Sequence, residues 1–370
     1  MKRTIIFSTL IAFCFIISES SQAKTKKAQQ TIVSIQNEKF LINGQPTYKG
    51  KSWQGHSIEG LLMNSRMVQG IFDDLNPKTA EQWKYPDTHK WDPNRNTDEF
   101  IKAMDEWYTK GLLAFTINLQ GGSPTGYGNK GWINSAISPK GELRPEYMNR
   151  LEKILNRANE KDMVVILGLY YFGQDQFMEN EAAIKKGVDN AIDWLFKKGY
   201  KNVIIEINNE CDVKDWIHEI LKPQRVHELI DRVKSKNRNG YRFLVGTSFQ
   251  GRSIPTINVV KSSDFILIHG NGVGNPEEIG ELVKKTKAVQ GFRPMPILFN
   301  EDDHFDFDKP VNNMVAAVKA YASWGYFDYR ITKDEGFDDG YQSVPVNWSI
   351  SSPRKKAFFE KLEEITGGLK

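Results

Sequence analysis

The sequence predicts an α/β fold: a closed (β/α)8 TIM barrel with an N-terminal β-hairpin. Three observations predict it. Short, almost continuously apolar runs recur along the chain, as parallel strands covered on both faces require. Helical patterns alternate with them, the arrangement that builds βαβ units. Eight strand candidates can be counted, no glycine-rich nucleotide turn interrupts them, and a closing helical pattern at Pro353–Thr366 ends the series, which fits a closed barrel better than an open sheet.

The elements follow in order. Met1-Lys2-Arg3 is a basic n-region, Thr4–Ile17 an apolar h-region, and Ser21-Gln22-Ala23 the small-x-small pattern of a cleavage site. Residues 1–23 therefore read as an export signal whose apolar run is short for a membrane span, and the mature protein as periplasmic or extracellular with no integral membrane segment. Bulky Phe13 before Cys14 argues against lipoprotein anchoring. Residues 24–30 read as a flexible leader, and residues 31–370 as one domain. Thr31–Ile35 alternates, Lys39–Ile42 follows, and Asn43-Gly44 is a strong turn dipeptide, so this segment reads as a hairpin. The eight strand candidates are then Thr47–Gly50, Phe115–Leu119, Met163–Leu169, Val203–Ile207, Phe243–Val245, Phe265–Ile268, Pro296–Phe299 and Tyr326–Tyr329. Helical patterns stand at Pro145–Lys161, Ala191–Lys198, Val226–Lys236, Pro276–Thr286 and Val311–Trp324. The first connection, 51–96, is long and rich in Trp, Tyr, Asp and Pro, as loops that build a cleft are.

Composition narrows the function. With 39% hydrophobic and 26% charged residues, the chain can bury a sizeable core and is not of disordered type. A net charge of +4, from dispersed basic and acidic residues, gives no nucleic-acid footprint. Once the signal is removed Cys211 stands alone, which excludes an intramolecular disulfide, and it reads as a small buried residue rather than a nucleophile.

Barrel enzymes place reactive groups at the C-terminal ends of strands. The fourth strand ends Glu206-Ile207-Asn208-Asn209-Glu210, and the seventh ends Pro296-Ile297-Leu298-Phe299-Asn300-Glu301. The two glutamates are 91 residues apart, or three βα units of about thirty residues. This pattern resembles the clan of retaining β-glycosidases that includes cellulases, β-mannanases and β-galactosidases. There an Asn-Glu pair ends the fourth strand and a second Glu ends the seventh. The opening Phe40-Leu41-Ile42-Asn43-Gly44-Gln45-Pro46 is similar to the clan's as well. The resemblance implies a glycoside hydrolase with a carbohydrate substrate and no metal or organic cofactor. It makes Glu210 the acid/base, Glu301 the nucleophile and Asn209 a contact to the sugar 2-hydroxyl. Two carboxyls suit this chemistry because the leaving oxygen needs a proton while the anomeric carbon needs electron density. Burial and mutual repulsion push their pKa values apart.

Further candidates surround the pair. The resemblance puts His269, at the sixth strand end, where it positions the nucleophile. Tyr170 and Tyr171, ending the third strand with Phe172, offer faces for stacking a sugar. Asn118 and Gln120 end the second strand beside Gly121-Gly122 and offer hydrogen bonds. Trp53, Trp83, Trp91 and Trp132 lie in loops, where aromatic rings can form subsites. Familiar clan members carry an Arg near the second strand end. This chain has none there, and Arg66 from the first loop or Arg330 from the eighth stands in for it. Tyr329-Arg330 replaces the Trp that often ends the eighth strand, so the chain reads as a divergent branch. Two other readings remain: a non-catalytic glycan-binding barrel, on the strength of the missing Arg, and a metal-dependent hydrolase, on the run Glu301–Asp308, dense in Asp and His. No His-x-His pair accompanies that run, and it reads better as a loop that hydrogen-bonds its neighbours.

Overall fold

The computed structural model describes residues 30–128 and 131–369. The export signal, Cys14 and nearly all of the leader lie outside the described residues. Eight parallel strands form the inner wall: β1 (Asn64–Arg66), β2 (Ala114–Asn118), β3 (Val164–Tyr170), β4 (Val203–Asn208), β5 (Leu244–Gly246), β6 (Ile266–His269), β7 (Ile297–Glu301) and β8 (Gly325–Tyr326). Strands β5-β4-β3-β2-β1-β8 form one ladder and β6-β7 another. Backbone bonds close the wall between the two ladders. Asp264 N–H donates to Val245 O (2.9 Å) between β5 and β6, and Phe299 N–H donates to Ser323 O (2.9 Å) between β7 and β8.

A helix follows each strand: α1 (Pro93–Thr109), α2 (Pro145–Glu160), α3 (Glu181–Lys198), α4 (His227–Ser235), α5 (Ile257–Ser262), α6 (Pro276–Lys287), α7 (Asn313–Lys319) and α8 (Pro353–Thr366). Local sequence explains their ends. Asp92, Asn180, Asn275, Asn312 and Ser352 each accept from a backbone N–H of the first turn, which satisfies donors that a helix start leaves unpaired. Proline follows the cap in α1, α6 and α8, where its missing N–H costs nothing. Among the described residues no helix is long and apolar enough to cross a membrane.

The expected first barrel strand is misplaced. Residues 47–50 form a turn, and the wall begins instead at Asn64-Ser65-Arg66. This triplet pairs with β2 in register Asn64↔Ala114 and Arg66↔Thr116, and with β8 through Gly325↔Asn64. It is wholly buried yet polar, because this part of the interior is filled by charge rather than hydrocarbon. It therefore lacks the apolar run that marks the other strands.

The hairpin Val33–Gln36 with Lys39–Ile42 is antiparallel, Val33 opposite Ile42. It seals the N-terminal end of the barrel. Val33 N–H donates to Lys201 O (3.0 Å), just ahead of β4, and Phe40 meets Phe265 edge to face with centroids 6.0 Å apart. Trp53 belongs to this end too. It sits in a short ribbon, Ser52–Trp53 against His56–Ser57, and its indole N–H donates to Glu364 of α8 (3.1 Å). The expected sugar contact at Trp53 is thus a packing residue at the end of the barrel away from the strand C-termini.

At the other flank, the segment after β8 folds over α8. Lys355 is buried there, its Nζ donating to Asn347 O (2.6 Å) and lying 4.3 Å from the centre of the Tyr341 ring. Burial holds the amine down to about 7, with Asp328 pulling it back up. The folded chain thus binds this proton less tightly than the unfolded chain, whose lysine titrates near 10.4. The stability penalty is full below about pH 7 and is relieved as pH rises toward about 10.4. We expect the thermal midpoint of Lys355→Met to rise less with pH between 7 and 9.5 than that of the wild type. Parallel curves would show that Lys355 does not titrate in this range.

Candidate active site

Glu210 lies two residues past the end of β4 and has a backbone φ of 50°, in the left-handed region that residues other than glycine rarely adopt. Its neighbours fix it there. Glu210 N–H donates to Ser248 Oγ (2.8 Å), Trp216 Nε1–H donates to Glu210 O (2.9 Å), and Cys211 N–H donates to Ser248 O (2.9 Å). A conformation costing on the order of 1 kcal/mol is thereby over-determined. The Cys211 thiol is buried, and burial pushes its pKa up, so the residue is inert packing.

Glu301 ends β7 after an irregularity. The β6–β7 register steps from Ile268↔Phe299 to His269↔Glu301, so two residues of β7 oppose one of β6. Strict alternation would send Asn300 and Glu301 to opposite faces. The bulge lets both reach the interior. Asn300 Nδ2 donates to Glu206 Oε1 (3.3 Å), and Glu301 faces Glu210. Gly270 makes room beside this corner, since a Cβ there would lie 2.1 Å from Asp302 Oδ2.

His269 stands between the two carboxylates. Its Nδ1 is 2.9 Å from Glu210 Oε1 and 3.7 Å from Glu301 Oε2. One oxygen of each glutamate and one ring nitrogen all lie within 4.8 Å of one another. Both Glu301 oxygens are engaged: Arg66 Nε stands 2.7 Å from Oε2, and Asn271 Nδ2 donates to Oε1 (2.7 Å). Beneath them Glu206 is fully buried. Arg66 thus serves two carboxylates. Burial opposes its charge, and Glu301 and then Glu206 outweigh burial and raise its pKa. Burial pushes the Glu301 carboxyl up, against Arg66 and His269, which pull it down. Burial pushes His269 down, and Glu301 and Glu210 more than reverse this. Groups this close titrate as one unit.

The other expected residues divide. Tyr171 is buried within electrostatic reach of Arg66, Glu301 and Glu210, and its backbone N–H donates to Gln120 Oε1 (3.3 Å). Asn209 is buried beside Glu210, with its N–H on Tyr170 O (3.1 Å). Asn118 lies deeper, packed over Gly168, where a Cβ would be 2.2 Å from its Oδ1. Tyr170 points outward instead: its hydroxyl donates to Ile184 O of α3 (2.6 Å), since neighbouring residues of a strand face opposite ways. Trp83 and Trp91 pack against Phe72 in the loop wall, and Trp132 packs against Trp83. Of the two candidate arginines Arg66 reaches Glu301, from β1 rather than from a loop. Arg330 bonds the carbonyls of Gly336 and Pro345.

In the acidic run after β7, Asp302 is a buried hub. It accepts from Trp324 Nε1 (2.9 Å), from Asn313 Nδ2 (3.0 Å) and from His304. Its lone pairs are thus met by N–H donors, which fits the loop-bonding reading better than a ligand role. Sequence reasoning missed Glu206, Asn271 and Asn300. A carboxylate inside the apolar run Val203–Ile207 was a usable signal for the first. The other two depend on the bulge and on the loop after β6.

Known proteins share the family and the fold of this chain. The family model for cellulase (glycosyl hydrolase family 5) matches residues 74–342. Among solved structures, the chain is similar to an endo-1,4-beta-mannanase from Rhizomucor miehei (12% identity, 80% of this chain and 89% of that one, TM-score 0.52). It is similar to an endo-1,4-beta-mannanase from Eisenia fetida (12%, 92% and 97%, 0.53), and to a beta-glucosidase from Thermotoga maritima (11%, 85% and 99%, 0.51). At such identities these likenesses speak for the barrel alone. No curated protein sequence matches the chain. The family model spans well over half of the chain, which therefore belongs to the cellulase family, glycosyl hydrolase family 5, and is a glycoside hydrolase of β-glycosides.

Proposed function

We propose that the protein is an exported, retaining β-glycoside hydrolase acting on a poly- or oligosaccharide, with Glu301 as nucleophile and Glu210 as acid/base. The observation that carries this is the approach of the two carboxylates, with oxygens within 4.8 Å. That is nearer the ~5–5.5 Å of retaining enzymes than the about 6.5–9.5 Å across which inverting enzymes place a water. Residues 1–23 support export, and residues 31–370 serve as one catalytic domain.

The hydrogen bonds divide the roles. An opposite charge or a donor at its oxygens favours the charged form of a carboxylate. Glu301 has the Arg66 guanidinium beside Oε2 and the Asn271 donor on Oε1. Glu210 has the His269 ring on one oxygen and is the more exposed of the two, at 14% against 6% for the side chains. The held Glu301 accordingly suits the nucleophile and the more open Glu210 the acid/base. In the first step a Glu301 oxygen bonds the anomeric carbon while the bond to the leaving oxygen breaks and takes the Glu210 proton. In the second, Glu210 takes a proton from water as the oxygen of that water displaces Glu301. Asn209, Gln120 and Tyr171 are the proposed contacts to the sugar. The non-catalytic reading rested on a missing arginine, and Arg66 fills that position.

With an aryl β-glycoside that the wild type cleaves, Glu301→Ala should lose at least about 10³-fold in kcat. Azide should restore turnover and give a glycosyl azide of inverted configuration by NMR; recovery without inverted product would remove Glu301 from the nucleophile role. Glu210→Gln should lose the basic limb of its pH–rate profile, and a retained bell would reassign the acid. Arg66→Lys keeps a charge but not the planar fork. It should lower kcat/KM by about 10²-fold and move the acidic limb to higher pH, because a restraint on the Glu301 pKa is weakened. An unmoved limb would show that Arg66 does not hold that charge.

A further inference from the structure

A hydrogen-bonded chain runs from the surface to Glu301 through three loops. Tyr127, in the loop after β2, donates its hydroxyl to Asp303 Oδ2 (2.8 Å), in the loop after β7. Asn271, in the loop after β6, donates from Nδ2 to the Tyr127 oxygen (2.9 Å) and, from the same nitrogen, to Glu301 Oε1 (2.7 Å). Asp303 is held in turn by the Gly272 N–H (3.2 Å) on its Oδ1. The Tyr127 ring is half exposed and rests edge-on against Tyr329 and Phe327, with centroids 4.9 and 5.6 Å apart.

The polarity of this chain is fixed from its outer end. An ionised carboxylate only accepts hydrogen bonds, so the Tyr127 proton lies toward Asp303 and its oxygen faces Asn271 with lone pairs. An amide has a donor end and an acceptor end, and only its nitrogen satisfies that oxygen. The nitrogen's second hydrogen is thereby aimed at Glu301. Without Tyr127 the amide can turn over and set its carbonyl oxygen against the carboxylate, a repulsive contact. We propose that Tyr127 and Asp303 are positioning residues that act through Asn271 to keep a donor on the nucleophile. The inference rests on Glu301 being the nucleophile, as proposed above.

Tyr127→Phe keeps the ring and its packing and removes only the hydroxyl, so it tests orientation rather than folding. Losing a stabilising donor on a carboxylate raises its pKa. With the same aryl glycoside, kcat should fall about tenfold with little change in KM, and the acidic limb of kcat/KM should move up by roughly half to one pH unit. Asp303→Ala should do the same, and the double variant should be no worse than either single one, as for residues in one chain. An unmoved acidic limb in Tyr127→Phe, or additive losses in the double variant, would overturn the relay. If azide rescue of Glu301→Ala succeeds with inverted product while Tyr127→Phe keeps the wild-type profile, the relay fails and the nucleophile assignment stands. If the rescue fails, the assignment falls whatever Tyr127→Phe does.

Discussion

The ion pair of Arg66 with Glu301 is the constraint around which the rest of the site is arranged. A guanidinium without solvent contact is tolerable only among opposite charges. Arg66 is such a group, with Glu301 at 2.7 Å above it and Glu206 below. One cation facing several carboxylates leaves an excess of negative charge, and His269, between Glu210 and Glu301, is the group that can take up a proton to offset it. The polar interior of β1, the Asn300–Glu206 bond and the placement of Asn118 over Gly168 all follow from accommodating this charged layer inside a barrel otherwise lined by Val, Ile and Leu.

The local rules that the chain breaks are broken at the same place. Glu210 takes a left-handed backbone, and β7 gains a bulge one residue before its end at Glu301. Each device re-aims one glutamate toward the other. Regular strands would present alternate residues, and the two carboxylates would then depend on side-chain flexibility to meet. Here backbone geometry brings them together, and bonds from Ser248 and Trp216 keep the strained side in place. Strain held by surrounding structure is typical of sites that must be organised before substrate arrives.

The parts of this fold that show in the sequence are those where one physical effect dominates. Seven strands announce themselves because parallel strands buried on both faces are continuously apolar, and several helices because Asp, Asn or Ser caps precede proline. β1 does not show, since Asn64-Ser65-Arg66 is buried by charge and not by hydrocarbon; counting residues 47–50 as the first strand kept the total at eight while pushing Arg66 into a loop. At the site, Glu210 and Glu301 are legible from their position at strand ends. Tyr170 and Tyr171 are not separable, because one residue of parity decides which faces the cleft. Trp53 looks like any loop tryptophan until its indole is seen on Glu364. Asn271 becomes visible only when three loops are brought together.

The sealed lower end of the barrel has a practical consequence for attaching the protein to anything else. The segment that follows the N-terminal hairpin and the end of α8 lie side by side: Lys51 Nζ donates to Thr366 O and to Gly368 O (3.0 Å), and Leu369 N–H donates to Thr109 O (3.1 Å). Both ends of the folded body therefore emerge beneath the barrel, opposite the strand ends that carry the carboxylates. A tether, a fused module or a solid support joined at either end would stand below the catalyst like a pedestal and leave the mouth clear for substrate.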